Sequence, residues 1–380
     1  MRTKTKIKTF LFAIIAFIIG LVGGTSSYVL AFSPESDTLF SIAKGDLSIH
    51  FLELGNKYAG DCIYIKANDQ DILIDAGSRQ SSATTIINYV NNYCTDGILE
   101  YLVATHAHQD HIAAFPSTDD RPGIFETYTV KTIIDFGEAS KFGNVGGNNT
   151  PSGVYTKYCQ ARENEITEED AEHIAVSNWK TKDNPEITTV FQLGDGITMT
   201  ILYNHYYSNK ATDENDYSVC LLFTQGSTNV LLTGDLEAEG EEKLIQNNTL
   251  PECALYKAGH HGSKSSSSED LLNAIKPKNV VFTCVAGATE YTTNLDNVFP
   301  TKEALTRIAE HTSNCYVTSV CTNTPTELAN KNYSKFESMN GDIIFTSNKN
   351  GYSINCTNNN ILLKDTDWCK EFRPNIQWVA

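Results

Sequence analysis

The sequence has few basic residues, and this shortage limits what the protein can bind without a dedicated site. Only 29 lysines and arginines stand against 46 aspartates and glutamates in the 380 residues, so the formal net charge is −17. Residues 1–31 contain four of the basic residues and no acidic one, so a chain without them would carry −21. Such a surface repels nucleic acid and anionic lipid. Any polyanion that the protein handles must be held locally, for example by metal ions.

Other absences exclude further classes of protein. The sequence has one long apolar run, at residues 10–22, which excludes a transporter with several membrane spans. It has no C-x-x-C motif, so a thiolate zinc site or a thioredoxin-like redox site has little support. In contrast, 41% hydrophobic residues with 17 Phe and 18 Tyr are enough for a large core, which excludes a disordered or coiled-coil protein.

The N-terminus indicates export. The four basic residues precede the apolar run, which is shorter than the about 20 residues of a spanning helix. Small residues at Val29 and Ala31 fit cleavage of a signal peptide after Ala31, and an uncleaved anchor is the alternative. Both interpretations predict a secreted or cell-surface protein that touches the membrane only through residues 1–31.

Ten cysteines in an exported chain raise the question of disulfides. Four of them lie in apolar, strand-like runs, where buried thiols are expected: Cys62, Cys220, Cys253 and Cys284. The other six lie nearer to polar loops, where pairing is open: Cys94, Cys159, Cys315, Cys321, Cys356 and Cys369.

Strand and helix patterns alternate along the chain after a linker at residues 32–45. Strands are predicted at residues 47–54, 62–67, 71–77, 99–105, 197–203, 217–223, 229–232, 254–257 and 279–285, and helices at residues 81–93, 237–246 and 301–310. After a Gly/Asn-rich loop at residues 143–153, Thr167 with Asp170 three residues later predicts the start of another helix. No domain break follows residue 46, so one domain over residues 46–356 and a tail at residues 357–380 are expected.

The strongest chemical signal directly follows the predicted strand at residues 99–105. His106, His108 and His111 are three of only nine histidines and, with Asp110, form the pattern H-x-H-x-D-H. Imidazole and carboxylate are ligands that zinc, iron and manganese prefer. At the end of a strand, His106 and His108 point the same way and can share one ion, whereas Asp110 and His111 can reach a second. A surface cluster without metal is disfavoured because the pattern rarely arises by chance.

Two further predicted strands lead to potential ligands. The strand at residues 229–232 leads to Asp235, a carboxylate that could bridge two ions, and the strand at residues 254–257 leads to His260 and His261. Each signal is weak alone, because Gly-Asp is usually a turn and a histidine pair is often a polar loop. Together with the first cluster they predict two divalent metal ions, with zinc expected and manganese or iron as alternatives.

These motifs resemble the metallo-β-lactamase superfamily and, within it, the soluble hydrolase domain of ComEC-type competence proteins. The resemblance passes in order through residues 47–61, 71–77, 106–111, 215–235, 260–263 and 340–343. It implies an α/β (α+β) fold, a four-layer αβ/βα sandwich in a single domain with the metals at one edge. The sequence has no counterpart of the ComEC membrane channel, so DNA uptake is not expected of this chain alone.

The resemblance also implies roles for individual residues. Its metal ligands correspond to His106 and His108 for the first metal, Asp110 and His111 for the second, Asp235 as the bridge, and either His260 or His261 as the last ligand. Asp75 corresponds to a buried aspartate that supports the metal loop, or else is an ordinary turn residue. Superfamily members with a full set of metal ligands have one more histidine. His205 is a candidate for it, and His173, in the predicted acidic helix, is a weaker candidate. The ComEC-like branch does not need this histidine.

The implied function is that of a metal-dependent hydrolase, most of all a phosphodiesterase acting on nucleic acid or cell-wall phosphodiesters through a metal-activated hydroxide. Asp110 and Asp235 would then be catalytic, and Ser263 and Lys264 either hold an anionic oxygen of the substrate or belong to a flexible loop. The negative net charge of the chain without residues 1–31 favours a small or polymer-attached anionic substrate, and nucleic acid remains an alternative substrate. The alternatives are lactam, lactone or thioester hydrolysis with the same metals, and a non-catalytic surface binding module on the same fold.

Overall fold

The computed structural model describes residues 40–137 and 153–379, in which the strands form two sheets of eight strands each. The first sheet contains β1 (Leu47–Phe51), β2 (Ile63–Ala67), β3 (Gln70–Ile74), β4 (Ile98–Val103), β5 (Thr129–Asp135), β6 (Glu172–Ala175), β15 (Ile343–Asn348) and β16 (Gly351–Cys356). The second contains β7 (Val190–Gly194), β8 (Ile197–Ile201), β9 (Leu221–Gln225), β10 (Thr228–Leu232), β11 (Leu255–Lys257), β12 (Val280–Ala286), β13 (Cys315–Cys321) and β14 (Phe336–Ser338).

Short helices connect the strands. They are α1 (Ser82–Val90), α2 (Gln109–Ile112), α3 (Ile124–Thr127), α4 (Gly153–Glu168), α5 (Ala238–Asn247), α6 (Glu269–Ile275), α7 (Lys302–Ala309), α8 (Pro325–Ala329) and α9 (Asp367–Phe372). Within the described ranges, no helix combines the length and apolar character needed to cross a bilayer. The leader predicted at residues 1–31 and nearly all of the Gly/Asn-rich loop lie outside those ranges.

Both sheets are mixed, and their parallel strands define one functional edge. The strand orders are β16-β15-β1-β2-β3-β4-β5-β6 and β14-β13-β12-β11-β10-β9-β8-β7. Strands β3 to β6 are parallel neighbours in the first sheet, and strands β10 to β13 are parallel neighbours in the second. Because the carboxyl ends of neighbouring parallel strands lie at the same edge of a sheet, the residues that follow β3 and β4, or β10 and β11, are brought close together.

Alternating side chains of the second sheet separate an inner from an outer layer. In β10, Val230 and Leu232 pack with the first sheet in the core between the sheets, whereas Leu231 packs with the apolar residues of α5, α6 and α7. The result is two mixed sheets with helices on their outer faces, which confirms the predicted four-layer α+β sandwich. The tail also packs on the outer layer, where Trp368 and Ile376 join the same apolar cluster.

The predicted helix at Thr167 is wrong. Thr167 instead lies in the last turn of α4, where its hydroxyl donates to the Glu163 carbonyl, and Asp170 then adopts a left-handed φ of 60°. His173 follows on β6 with its Nε2 2.8 Å from Asp135 Oδ1, so it is neither helical nor close to the histidine cluster. The end and the start of a helix carry similar polar residues, so the sequence near Thr167 fits either one. Here buried contacts of α4 with Asp135 hold the helix that precedes Thr167, and Thr167 lies at its end.

The cysteines are all free thiols. The burial predicted for Cys62, Cys220, Cys253 and Cys284 is confirmed. Of the six cysteines whose pairing was open, four are also buried, and burial raises the pKa of the Cys315 thiol, for example, above its usual range. The structure therefore owes its core to packing rather than to covalent links.

His50 on β1 is expected to make the protein sensitive to acid. It is buried between Ser48 and Tyr89, and burial lowers its pKa from 6.5 to about 3. Between these pH values, His50 binds a proton in the unfolded chain but not in the folded chain. This difference lowers the free energy of unfolding as the pH falls from 6.5 towards 3, by about 4–5 kcal/mol in total. His50→Gln should be less stable at pH 7, with a gap to the wild type that narrows by pH 4 in urea unfolding. A gap that stays constant with pH would contradict this assignment.

Candidate metal centre

Four strand ends bring the predicted ligands together. Asp75 follows β3, the H-x-H-x-D-H motif follows β4, Asp235 follows β10, and the histidine pair follows β11. The backbone joins these segments directly, because the Asp75 amide donates to the Val103 carbonyl and the Val219 amide donates to the Thr105 carbonyl across the two sheets. The two parallel edges therefore meet at one polar cluster.

The first motif places two imidazoles side by side. His106 Nε2 lies 3.1 Å from His108 Nδ1, and the His106 and His111 rings are 4.1 Å apart between centroids. Burial, together with the neighbouring His111 and His108, lowers the pKa of His106 well below its ordinary value. His106 is therefore neutral at physiological pH, which is the state that binds a metal ion.

His111 lies between two carboxylates, one on each side of its ring. Its Nδ1 is 2.7 Å from Asp75 Oδ2 and its Nε2 is 3.1 Å from Asp235 Oδ2. Burial opposes a charged ring, but Asp235 and Asp75 outweigh it and raise the pKa of His111 well above its ordinary value. Asp75 thus holds the far side of the ring and leaves Nε2 directed at the cluster, as outer carboxylates do for metal-binding histidines.

Asp75 is held in place itself. It has a left-handed φ of 60°, and its carboxylate accepts hydrogen bonds of 2.8 Å from both the amide and the hydroxyl of Thr105. These bonds couple the end of β3 to the residue immediately before His106. Asp75 thus lies between Thr105 and His111, and its role as a support of the metal loop stays a prediction.

The second sheet contributes Asp235 and the histidine pair. His261 is fully buried, and its Nε2 lies 3.3 Å from Asp235 Oδ2 and 3.5 Å from Asp110 Oδ2. His260 is partly exposed, with Nε2 4.0 Å from Asp235 Oδ2 and Nδ1 3.3 Å from Glu237 Oε1. Both residues have left-handed backbone conformations, which turn the two rings in different directions.

We therefore expect His261 rather than His260 to be the metal ligand. His261→Ala should weaken binding of a divalent ion by more than the about 10–100-fold typical of an outer partner. His260→Ala should retain the metal content of the wild type, because its ring lies at the margin of the cluster. Elemental analysis after dialysis against metal-free buffer measures both variants. Metal loss in His260→Ala with retention in His261→Ala would reverse the assignment.

Two buried residues that the sequence analysis did not assign also belong to the cluster. Lys257, at the end of β11, is fully buried with its Nζ 2.7 Å from Asp61 Oδ2 and 3.6 Å from Asp235 Oδ1. Asp61 also lies 3.2 Å from His261 Nδ1 and accepts a hydrogen bond from the Thr283 hydroxyl. The sequence offered one indication of this pair. Lys257 ends an apolar strand, and a buried lysine needs a carboxylate partner.

The donor set fits divalent cations. Four carboxylates meet in the cluster, from Asp61, Asp75, Asp110 and Asp235, and Lys257 supplies one ammonium against them. Asp235 Oδ1 and His261 Nε2 are buried and form no hydrogen bond with any residue that the structure describes. Buried charge of one sign is costly unless it is paired. Side chains of His106, His111, His261, Asp110 and Asp235 offer nitrogen and oxygen atoms within 4.8 Å of one another in overlapping groups of three.

The remaining predicted site residues lie at the periphery. Ser263 bonds to Ser265, whose hydroxyl donates to Glu237, so this part of the serine-rich loop is held rather than flexible. Lys264 is exposed. His205 contacts Asn209 and belongs to none of the potential metal-binding groups found in residues 40–137 and 153–379.

A polar cavity of about 460 Å³ opens beside the cluster. His108, Asp110 and His260 line its floor, and Arg79 and Tyr291 line its wall. The Tyr291 hydroxyl donates to Asp110 Oδ2 at 3.2 Å. A substrate in this cavity would therefore contact the candidate ligands directly.

The chain is similar to known proteins. Residues 55–126 match the family model described as the metallo-beta-lactamase superfamily. The chain is 36% identical over 93 residues to ComE operon protein 3 of Bacillus subtilis, an alignment that covers 23% of this chain and 12% of that protein. It is 25% identical over 227 residues to Competence protein ComA of Neisseria gonorrhoeae, covering 58% of this chain and 25% of that protein.

The chain thus spans a quarter or less of the length of these two relatives. Among solved structures, the metallo-beta-lactamase fold protein YhfI of Bacillus subtilis is 13% identical, with a TM-score of 0.37 over 72% of this chain and 96% of that one. The matched family region contains the whole H-x-H-x-D-H motif at the end of β4. The chain is therefore similar to the metallo-beta-lactamase superfamily over residues 55–126 and to the two competence proteins over the aligned parts, and its two sheets form an α+β sandwich.

Proposed function

We propose that this chain is an exported metal-dependent phosphodiesterase with two divalent ions, zinc by expectation, that acts on nucleic acid or cell-wall phosphodiesters. The observation that carries the proposal is the convergence of His106, Asp110, His111, Asp235 and His261 from three strand ends beside an open cavity. Divalent ions held by such residues would lower the pKa of water to about 7 and neutralise charge on the attacked group.

Individual residues of the chain have separate roles in the proposed reaction. Asp235 lies within 3.3 Å of both His111 and His261, so it is placed to bridge the two halves of the site. Asp110 has one oxygen near His261 and Tyr291 and lines the cavity, so it can orient a water molecule against a bound substrate. Asp75 and Asp61 hold the histidine rings from behind.

The cavity offers donors for an anionic substrate. Its lining includes the Arg79 guanidinium and the amides of Gln109 and Asn215, together with the carboxylates of Asp110, Asp213 and Glu290. Guanidinium and amide groups donate hydrogen bonds to phosphoryl oxygens. The grouping of His106, Asp110, His111, Asp235 and His261 supports a metal-dependent enzyme over a purely structural binding module.

Turnover of bis-p-nitrophenyl phosphate tests the proposal. The purified chain should hydrolyse this diester, lose the activity on chelation, and regain it when zinc or manganese is added. p-Nitrophenyl acetate serves as the carbonyl probe in the same assay. Turnover of the acetate alone would favour the lactam, lactone or thioester class, and turnover of neither with metal bound would favour a binding module.

The proposed location outside the cytoplasm depends on residues 1–31 and is tested separately. Fractionation of cells that produce the chain should place it in the medium or at the surface, and removal of those residues should retain it in the cytoplasm.

A further inference from the structure

The cavity has a second feature, a rim that combines cations and tyrosines on an otherwise acidic protein. The rim is defined by Lys57, Tyr58, Arg79, Glu290 and Tyr333. Lys57 and Tyr58 lie in the segment between β1 and β2. Arg79 and Glu290 line the cavity, and Lys57 contacts the Tyr58 ring on which Arg79 is stacked. The net charge of the whole chain is −17, so this pair of cations contrasts with the rest of the protein.

Arg79 is held rigidly in this rim. Its Nη1 donates to the Ser78 carbonyl at 2.6 Å, and its Nη2 lies 3.2 Å from Glu290 Oε1. Its guanidinium carbon is 3.8 Å from the centre of the Tyr58 ring, so one face of the group is stacked. The side chain remains about one-third exposed. A guanidinium has five donors, so this one is positioned by few of them and keeps others for a ligand.

The contacts of Arg79 also place it next to the candidate metal centre. Gln109, between His108 and Asp110, donates to the same Ser78 carbonyl at 3.4 Å. Glu290 bonds to Arg79, and the next residue, Tyr291, bonds to Asp110. Arg79 and Asp110 are thus linked through two separate short paths, and both line one cavity.

Lys57 extends the positive edge away from the cluster. Its ammonium lies 4.6 Å from the centre of the Tyr333 ring and 5.4 Å from that of Tyr58. Among residues 40–137 and 153–379, no salt bridge to Lys57 is formed, and its charge is left for another partner. Cation–π contacts fix the position of an ammonium without neutralising it.

We propose that Arg79 and Lys57 form a subsite for a second phosphate of the substrate, next to the phosphodiester at the metal centre. This inference rests on the proposed phosphodiesterase function and narrows its substrates to molecules with successive phosphates. Two fixed cations beside the reacting group would select such molecules through charge-assisted hydrogen bonds. They would also offset locally the repulsion between a polyanion and the acidic body.

A pair of chromogenic substrates tests the subsite. Thymidine 5′-(p-nitrophenyl phosphate) has one phosphate, and its 3′-phosphorylated derivative has two. For the wild-type chain loaded with metal, the 3′-phosphate should lower KM by at least about tenfold. In Arg79→Gln, in Lys57→Gln and in their combination, the ratio of the two KM values should fall towards one. Lys131→Gln, which removes an exposed lysine at the amino end of β5, should keep the wild-type ratio.

The outcomes separate the subsite from the function on which it rests. Turnover of both substrates with equal KM in the wild type, or a KM ratio that survives in both single variants, would overturn the subsite alone. Turnover of neither substrate would overturn the phosphodiesterase itself and the subsite with it. Because the Lys57 side chain forms no hydrogen bond with the part of the chain that the structure describes, Lys57→Gln remains informative if Arg79→Gln fails to fold.

Competition then identifies the source of the second phosphate. A short thymidine oligonucleotide and an oligomer of glycerol phosphate present successive phosphates on different backbones. Inhibition by either one, reduced in Arg79→Gln, would support the subsite and identify the polymer. Absence of inhibition by both would contradict it.

Discussion

Lys257→Met is expected to lower the free energy of unfolding of the metal-free chain by about 3–5 kcal/mol. The ammonium is fully buried and lies 2.7 Å from Asp61 and 3.6 Å from Asp235. Burial opposes its charge, but Asp61 and Asp235 outweigh burial and raise the pKa of Lys257. Removing it leaves two buried carboxylates without their cation, which costs far more than losing an exposed ion pair.

Urea unfolding at pH 7 in the presence of a chelator measures this loss. Lys131→Met is the matched control, because it makes the same substitution at an exposed lysine that pairs with Glu100, and its stability should change little. Adding Asp61→Asn to Lys257→Met should recover part of the loss, since the double variant no longer buries that unpaired charge. Equal effects at positions 257 and 131 would contradict the proposed role of the buried ammonium.

Asp235→Asn is expected to lower the rate of diester hydrolysis by more than about 100-fold, and Asp75→Asn by about 10–100-fold. The difference follows from their positions on opposite sides of His111. Asp235 approaches the Nε2 atoms of His111 and His261 inside the cluster, whereas Asp75 holds His111 through Nδ1 from outside. In the proposed site, loss of the inner carboxylate would remove a metal ligand, and loss of the outer one would only loosen the His111 ring.

Measuring kcat and metal content together tests this order. Asp69→Asn is the control, because Asp69 is exposed in the turn between β2 and β3, at the end of β3 opposite to Asp75. It should keep both values. If Asp75→Asn proved more damaging than Asp235→Asn, Asp235 would not be the bridging residue.

The sequence predicted the strands and the position of the cluster well, for a physical reason. Continuous apolar runs identify strands with two buried faces, and motifs that directly follow such strands are brought to the edge of a parallel sheet. The H-x-H-x-D-H motif, Asp235 and the histidine pair all follow such strands. Their convergence therefore follows from the apolar strand patterns, together with the rule that the carboxyl ends of parallel strands lie at the same edge of a sheet.

What the sequence could not predict depends on backbone conformation and on distant contacts. His260 and His261 are chemically identical, and only two consecutive left-handed residues decide which ring enters the cluster. Lys257 and Asp61 are 196 positions apart, and no local pattern links them. The rim around Arg79 likewise combines four distant segments of the chain, and only the contacts in the structure show that they meet.

The proposed function depends most directly on metal binding by the cluster, and elemental analysis of the purified chain measures that binding. We expect close to two divalent ions per chain in the wild type, and we expect His108→Ala to lose both the metal and the hydrolysis of bis-p-nitrophenyl phosphate. A chain that binds no divalent ion, even after addition of zinc or manganese, would contradict the metal-dependent function.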